Sequence, residues 1–174
     1  MTNGVGRVPT AAEEDRFWEL VESAWVACGP EAARLRRALA ERDPAAEDTD
    51  AYGLEGWTEQ FLTRLRELCD GLSAAELTDL DRVVERKLFD LDRAEVHEYT
   101  DGSDDGFLYC RGFIVAAGRR FYDAVAADPS MALMDAECEE MCYFFAHLHD
   151  KRFGGHPDTG SGISRETGGN SAGW

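Results

Sequence analysis

The run Asp101-Gly102-Ser103-Asp104-Asp105-Gly106 sets oxygen donors at its first, third and fifth positions and glycine at its sixth, the first half of a calcium loop. Asp101, Ser103 and Asp105 would be the metal ligands. A hard cation needs roughly six to eight oxygens, and the usual loop closes with a bidentate glutamate. Here Gly112 stands at the closing position and Tyr109 at the ninth, so Glu137 or Glu140 would have to come from elsewhere. The same residues also suit a helix start, where Ser103, Asp104 or Asp105 accepts free amides and meets the positive dipole end. A third reading has the loop presenting carboxylates to a cationic ligand. Capping explains the most with the fewest assumptions.

Arg111 follows this turn, between Phe107 and Ile114, with Arg119 and Arg120 further along. That spacing predicts a partly buried guanidinium that needs a carboxylate partner, from Glu19, Glu22, Asp104 or Glu140. A ligand pocket near the turn would be lined by Trp18, Asp104, Asp105, Arg111 and Glu140. Cys138 and Cys142 stand one helical turn apart and could ligate a soft metal. His149 lies seven residues beyond Cys142, roughly 10 Å along a helix, and His147 points elsewhere. Core packing is the simpler role for both thiols. Trp174, the last residue, could serve a partner as an aromatic handle. Gly4-Val5-Gly6 lacks the third glycine of a dinucleotide loop, and neither a Gly-Lys-Ser/Thr phosphate loop nor a Gly-x-Ser-x-Gly elbow is present. No catalytic set is complete, and no cofactor is expected.

The elements that must position these residues are helical. Thr10 and Glu13 make a capping box for a first helix carrying Phe17, Leu20, Val21, Ala24 and Cys28. Gly29-Pro30 starts a second. A third runs from about Leu54 to Cys69. Ser73 and Glu76 cap a fourth, whose leucines reach at least the low nineties. A fifth starts near Asp104 or Asp105 and runs through Phe121 and Val125. Asp128-Pro129 opens a sixth with the stripe Met134, Cys138, Met141, Phe145 and Leu148. Strand signals are nearly absent. The expectation is an all-α single domain of about six helices over residues 10–153. Residues 154–174, rich in glycine with Ile163 and Trp174 as the clear hydrophobes, read as a flexible tail.

The chain has 174 residues, 44% of them hydrophobic, and a formal charge of −17 from 18 basic and 35 acidic side chains. Enough apolar mass is present for a core, while the charge repels phosphate backbones and anionic headgroups, so neither nucleic acid nor a membrane is an expected partner. No apolar run reaches the roughly 20 residues needed to cross a bilayer. The N-terminus lacks the basic start and apolar middle of a secretory signal. Five cysteines in an odd, loosely spaced set then read as reduced thiols of a cytoplasmic protein.

Three blocks carry a family resemblance: Asp15-Arg16-Phe17-Trp18-Glu19-Leu20-Val21-Glu22; the stretch from Gly102 through Asp104-Asp105-Gly106-Phe107-Leu108-Tyr109 to Gly118; and Glu137-Cys138-Glu139-Glu140-Met141. Over residues 13–150 the chain resembles a bacterial, mainly actinobacterial family of domains of unknown function, number 4240. This chain has Cys110 where the family pattern is aromatic and Gly112 where it is larger. The resemblance implies a helical fold and brings no reaction. Together these readings point to a non-enzymatic module that binds a protein or peptide partner. Two alternatives stand beside it: a small-ligand binder or enzyme with its pocket near residues 101–106, and a scaffold whose tail, ending in Trp174, is recognised or modified by partner enzymes.

Overall fold

The computed structural model describes residues 6–47, 50–100 and 102–174. Thr10 starts α1 (Ala11–Val26): its hydroxyl accepts the Glu13 amide and the Glu13 carboxylate accepts the Thr10 amide, which satisfies two donors the helix cannot use. Pro30 opens α2 (Pro30–Glu41), where its missing N–H costs nothing. A 3-10 turn over Ala51–Trp57 leads into α3 (Thr58–Leu68). Ser73 and Glu76 form the second capping box, for α4 (Ala74–Leu91), and a single turn, α5 (Ala94–His97), follows. Ser103 caps α6 (Asp104–Ala116) by accepting the Gly106 amide at 2.9 Å. The chain continues through α7 (Arg119–Ala127), α8 (Glu139–Cys142) and α9 (Phe144–Phe153). All regular elements among the described residues are helical, and none of those helices is long and apolar enough to cross a membrane.

The helices share one hydrophobic core with α6 at its centre. From Gly106 to Ala116 every residue of α6 except Tyr109 is buried, the pattern of a helix covered on all sides. α4 packs against α1, α6 and α9, and α8 crosses α6. Trp25 of α1 stacks on Phe61 of α3 at 4.4 Å and donates its indole N–H to the Ala116 carbonyl at 2.7 Å. Arg36 donates to the neighbouring Ala117 carbonyl at 2.9 Å. These two donors satisfy carbonyls that the end of α6 leaves open. The close crossing of α8 depends on Gly112. A Cβ there would lie 2.5 Å from the Cys138 carbonyl oxygen and 2.6 Å from the Cys142 sulfur.

Three expected helices are cut differently. The third begins at Thr58, after the 3-10 turn, rather than at Leu54. The fifth was expected to run through Val125 but stops at Gly118, whose φ of 106° no side chain tolerates well, and restarts as α7. The sixth is not one helix. Asp128 caps only the 3-10 turn Pro129–Met131, and the chain then runs irregularly to α8. Met134, assigned to the apolar stripe, is 53% exposed, whereas Met141, Phe145 and Leu148 are buried.

Residues 154–174 also depart from expectation, because they lie along α4 and α6 instead of hanging free. Arg82 donates to the Thr159 carbonyl at 2.7 Å, and Glu85 accepts the hydroxyls of Thr159 and Ser161 at 2.7 and 2.5 Å. Asp92, fully buried, accepts the amides of Gly168 and Asn170 and the Trp174 indole at 3.1, 2.8 and 3.0 Å. Polar anchors supply the hold that apolar content could not.

Candidate functional site

The Ser103 cap fixes Asp105 in the first turn of α6 and sets Tyr109 one turn further on the same face. Cys138 donates its amide to the Tyr109 carbonyl at 3.0 Å and brings the start of α8 alongside. Glu139 and Glu140 stand in that first turn, Tyr143 joins α8 to α9, and His147 follows one turn later. With Thr58 and Glu59 from α3 and Glu166 from the C-terminal segment, these residues line a groove of about 530 Å³.

The groove is acidic and its aromatic rings are held in place. Burial raises the Tyr109 hydroxyl pKa, and the hydrogen-bonded Glu139 carboxylate raises it further. Tyr143 donates to Glu166, and burial followed by that carboxylate raises its pKa also. His147 stacks on Tyr143 at 5.9 Å. Glu140 meets Arg66 at 3.1 Å on the rim. Both phenols therefore stay protonated at neutral pH.

Sequence-predicted residues divide among several places. Asp105 and Glu140 do meet in the groove. Asp104 stands beside it, its carbonyl accepting the Thr167 hydroxyl at 2.7 Å. Arg111 lies beneath, fully buried, and the expected carboxylates do not pair with it. It donates to the carbonyls of Leu88 and Arg165 at 2.8 and 3.0 Å and to the Thr167 hydroxyl at 3.1 Å, with Phe107 under its guanidinium at 4.6 Å. Its Nε has no partner among the described residues. Burial lowers its pKa, opposed chiefly by Asp92. Trp18 belongs to another region: it packs on Phe17 and Tyr122 and faces a separate hollow with Arg36, Arg37, Arg119 and Arg120. Trp18, Asp104, Asp105, Arg111 and Glu140 thus do not line one pocket.

Ser103 is occupied as a helix cap, and Asp101 lies outside the described residues. Among the described residues no group of three or more His, Cys, Asp or Glu side chains is placed to hold a metal ion. Burial pushes the Cys138 and Cys142 thiols up to about 12, so neither is a thiolate at neutral pH. Trp174 is half exposed but pinned by Asp92, with His97 and Phe107 against its ring at 5.2 and 5.9 Å.

Sequence reasoning missed Glu59, Glu139, Tyr143 and Glu166 as groove residues. Glu139 belongs to the stretch 137–141 that carries the family resemblance. Glu59 and Glu166 come from segments that nothing local in the sequence joins.

The family model described as a protein of unknown function (DUF4240) matches residues 12–150. The chain belongs to this family. No curated protein and no solved structure matches it. The matched DUF4240 region contributes every groove residue except Glu166, whose segment lies beyond it.

Proposed function

We propose that this DUF4240 protein is a non-enzymatic binding module whose acidic groove receives a basic segment of a partner protein. One observation carries the reading: Glu59, Asp105, Glu139, Glu140 and Glu166 line a single groove together with Tyr109 and Tyr143. Its volume of about 530 Å³ falls within the range of roughly 300 to 1,000 Å³ usual for ligand sites. The Tyr109 ring suits ammonium and guanidinium groups, and the stems of lysine and arginine pack along such a face, while Tyr143 already carries Arg165 and His147. A formal charge of −17 adds long-range attraction for a cation and repulsion for nucleic acid and anionic lipid. Five buried free thiols support a reducing, cytoplasmic setting. The scaffold alternative has less support, since Thr159 and Ser161 are buried and Trp174 is pinned.

Fluorescence anisotropy with a labelled lysine- and arginine-rich peptide tests this. Binding is expected to weaken about tenfold in Glu139→Gln/Glu140→Gln, and to weaken with salt because exposed charges are screened beyond about 10 Å at 0.1 M. Equal binding of an acidic peptide, or indifference to both substitutions, contradicts it.

A further inference from the structure

Arg165 is one of three buried side chains by which the C-terminal segment enters the helical domain, with Thr159 and Ser161. Arg165, 7% exposed, has its guanidinium held by both Asp81 oxygens at 2.9 and 3.1 Å, by the Cys142 carbonyl at 2.6 Å, by Glu85 at 3.6 Å and by the Tyr143 ring at 4.8 Å. All four holding residues lie in the matched DUF4240 region, and Arg165 lies outside it. Asp81 and Glu85 stand one turn apart on α4, 2% and 9% exposed. Two buried like charges repel and lose hydration, and a planar guanidinium is the group whose fork answers both. The hold continues along the backbone. Arg111 donates to the Arg165 carbonyl, and the Thr167 hydroxyl sits between Arg111 and the Asp104 carbonyl.

We propose that this cradle is a recognition site for an extended partner peptide carrying arginine followed two residues later by serine or threonine, and that Arg165-Glu166-Thr167 occupies it in cis. The proposal rests on the reading of the neighbouring groove as a peptide site and names the sequence it reads. Tyr143 joins the two, its ring over Arg165 and its hydroxyl on Glu166. The occupant is suited to exchange. From residue 154 onward the buried residues are Thr159, Ser161 and Arg165, all polar, so the segment is held by polar bonds rather than by a buried apolar anchor. A peptide in trans would rebuild the same bonds, against a cis competitor at an effective concentration of about millimolar.

The test uses the full chain carrying Arg165→Ala, which empties the cradle, and a labelled peptide copying residues 161–174. That variant is expected to bind the peptide at least tenfold more tightly than the wild-type chain. Binding should fall at least tenfold when the peptide itself lacks its arginine, or when Asp81→Asn is added to the protein. An all-lysine peptide, which the groove alone would take, should be indifferent to Asp81→Asn, so loss of the groove reading and loss of the cradle reading give different results. A folded Arg165→Ala chain that binds the copied peptide no better than wild type overturns the proposal. Should Arg165→Ala not fold, Arg165→Gln, which keeps most of the stem, replaces it. Failure of both to fold also overturns the proposal, because a displaceable segment is not a condition of folding.

Discussion

Arg111 and Arg165, two of the three buried arginines among the described residues, are held in opposite ways. Arg165 is met by Asp81 and Glu85, whereas Arg111 is met by two carbonyls and a hydroxyl. Removing Arg111 strands the Leu88 and Arg165 carbonyls in the interior, and each unmet buried group costs about 1 to 3 kcal/mol. Arg111→Ala is therefore predicted to lower stability by about 2 to 4 kcal/mol, seen as a lower urea midpoint at unchanged slope. Partial burial of Arg111 was legible from its place between Phe107 and Ile114, and the structure buries it fully. Its partners were not, since main-chain carbonyls of distant residues leave no mark in a sequence. Thiols give a second test. Burial raises Cys69 to about 11 and Cys138 and Cys142 to about 12, above the ordinary value of about 8.5 kept on unfolding. The folded state then holds more protons between those limits, so stability is full below about pH 8.5 and falls as pH rises toward 11 to 12. Urea midpoints from pH 7.5 to 10.5 should decline over the upper half of that range, and a flat or rising series speaks against these buried protonated thiols.

At the scale of elements, local signals worked where local chemistry decides. Both capping boxes form as the sequence indicates, and of Ser103, Asp104 and Asp105 it is Ser103 that caps α6; each is a bond between residues three apart. Breaks were harder to see. Phe121 and Val125 continue the apolar spacing of α6, yet Gly118 turns the chain so that α7 packs back on α6. A Cβ at Gly118 would also lie 2.2 Å from an Arg36 guanidinium nitrogen and 2.9 Å from a Glu22 carboxylate oxygen. Gly118→Ala is thus predicted to cost about 2 to 3 kcal/mol, combining backbone strain with disruption of the Arg36–Glu22 pair, and thermal melting should show it. The segment between Pro129 and α8 misled for the reverse reason. Its apolar residues recur at helical spacing, but they reach the core from an irregular path that leaves Met134 outside.

At the scale of the whole molecule, charge and chain ends matter most. Residues 154–174 look disordered by composition, with seven glycines among twenty-one residues, and that inference fails because it counts only apolar gain. Their hold comes from Asp81, Arg82, Glu85 and Asp92, residues far away in sequence. Of the five groove carboxylates, Asp105 and Glu140 were legible, whereas Glu59, Glu139 and Glu166 join them only through tertiary packing. The excess of 35 acidic over 18 basic side chains would draw any cation to the surface diffusely, so the account requires that attraction to be focused. Amide chemical-shift mapping of the full chain, titrated with a lysine- and arginine-rich peptide, tests that requirement most directly. Shifts gathered at Asp105, Tyr109, Glu139, Glu140 and Tyr143 are the predicted result. Shifts scattered over the acidic surface, or centred on the hollow beside Trp18, would contradict the account.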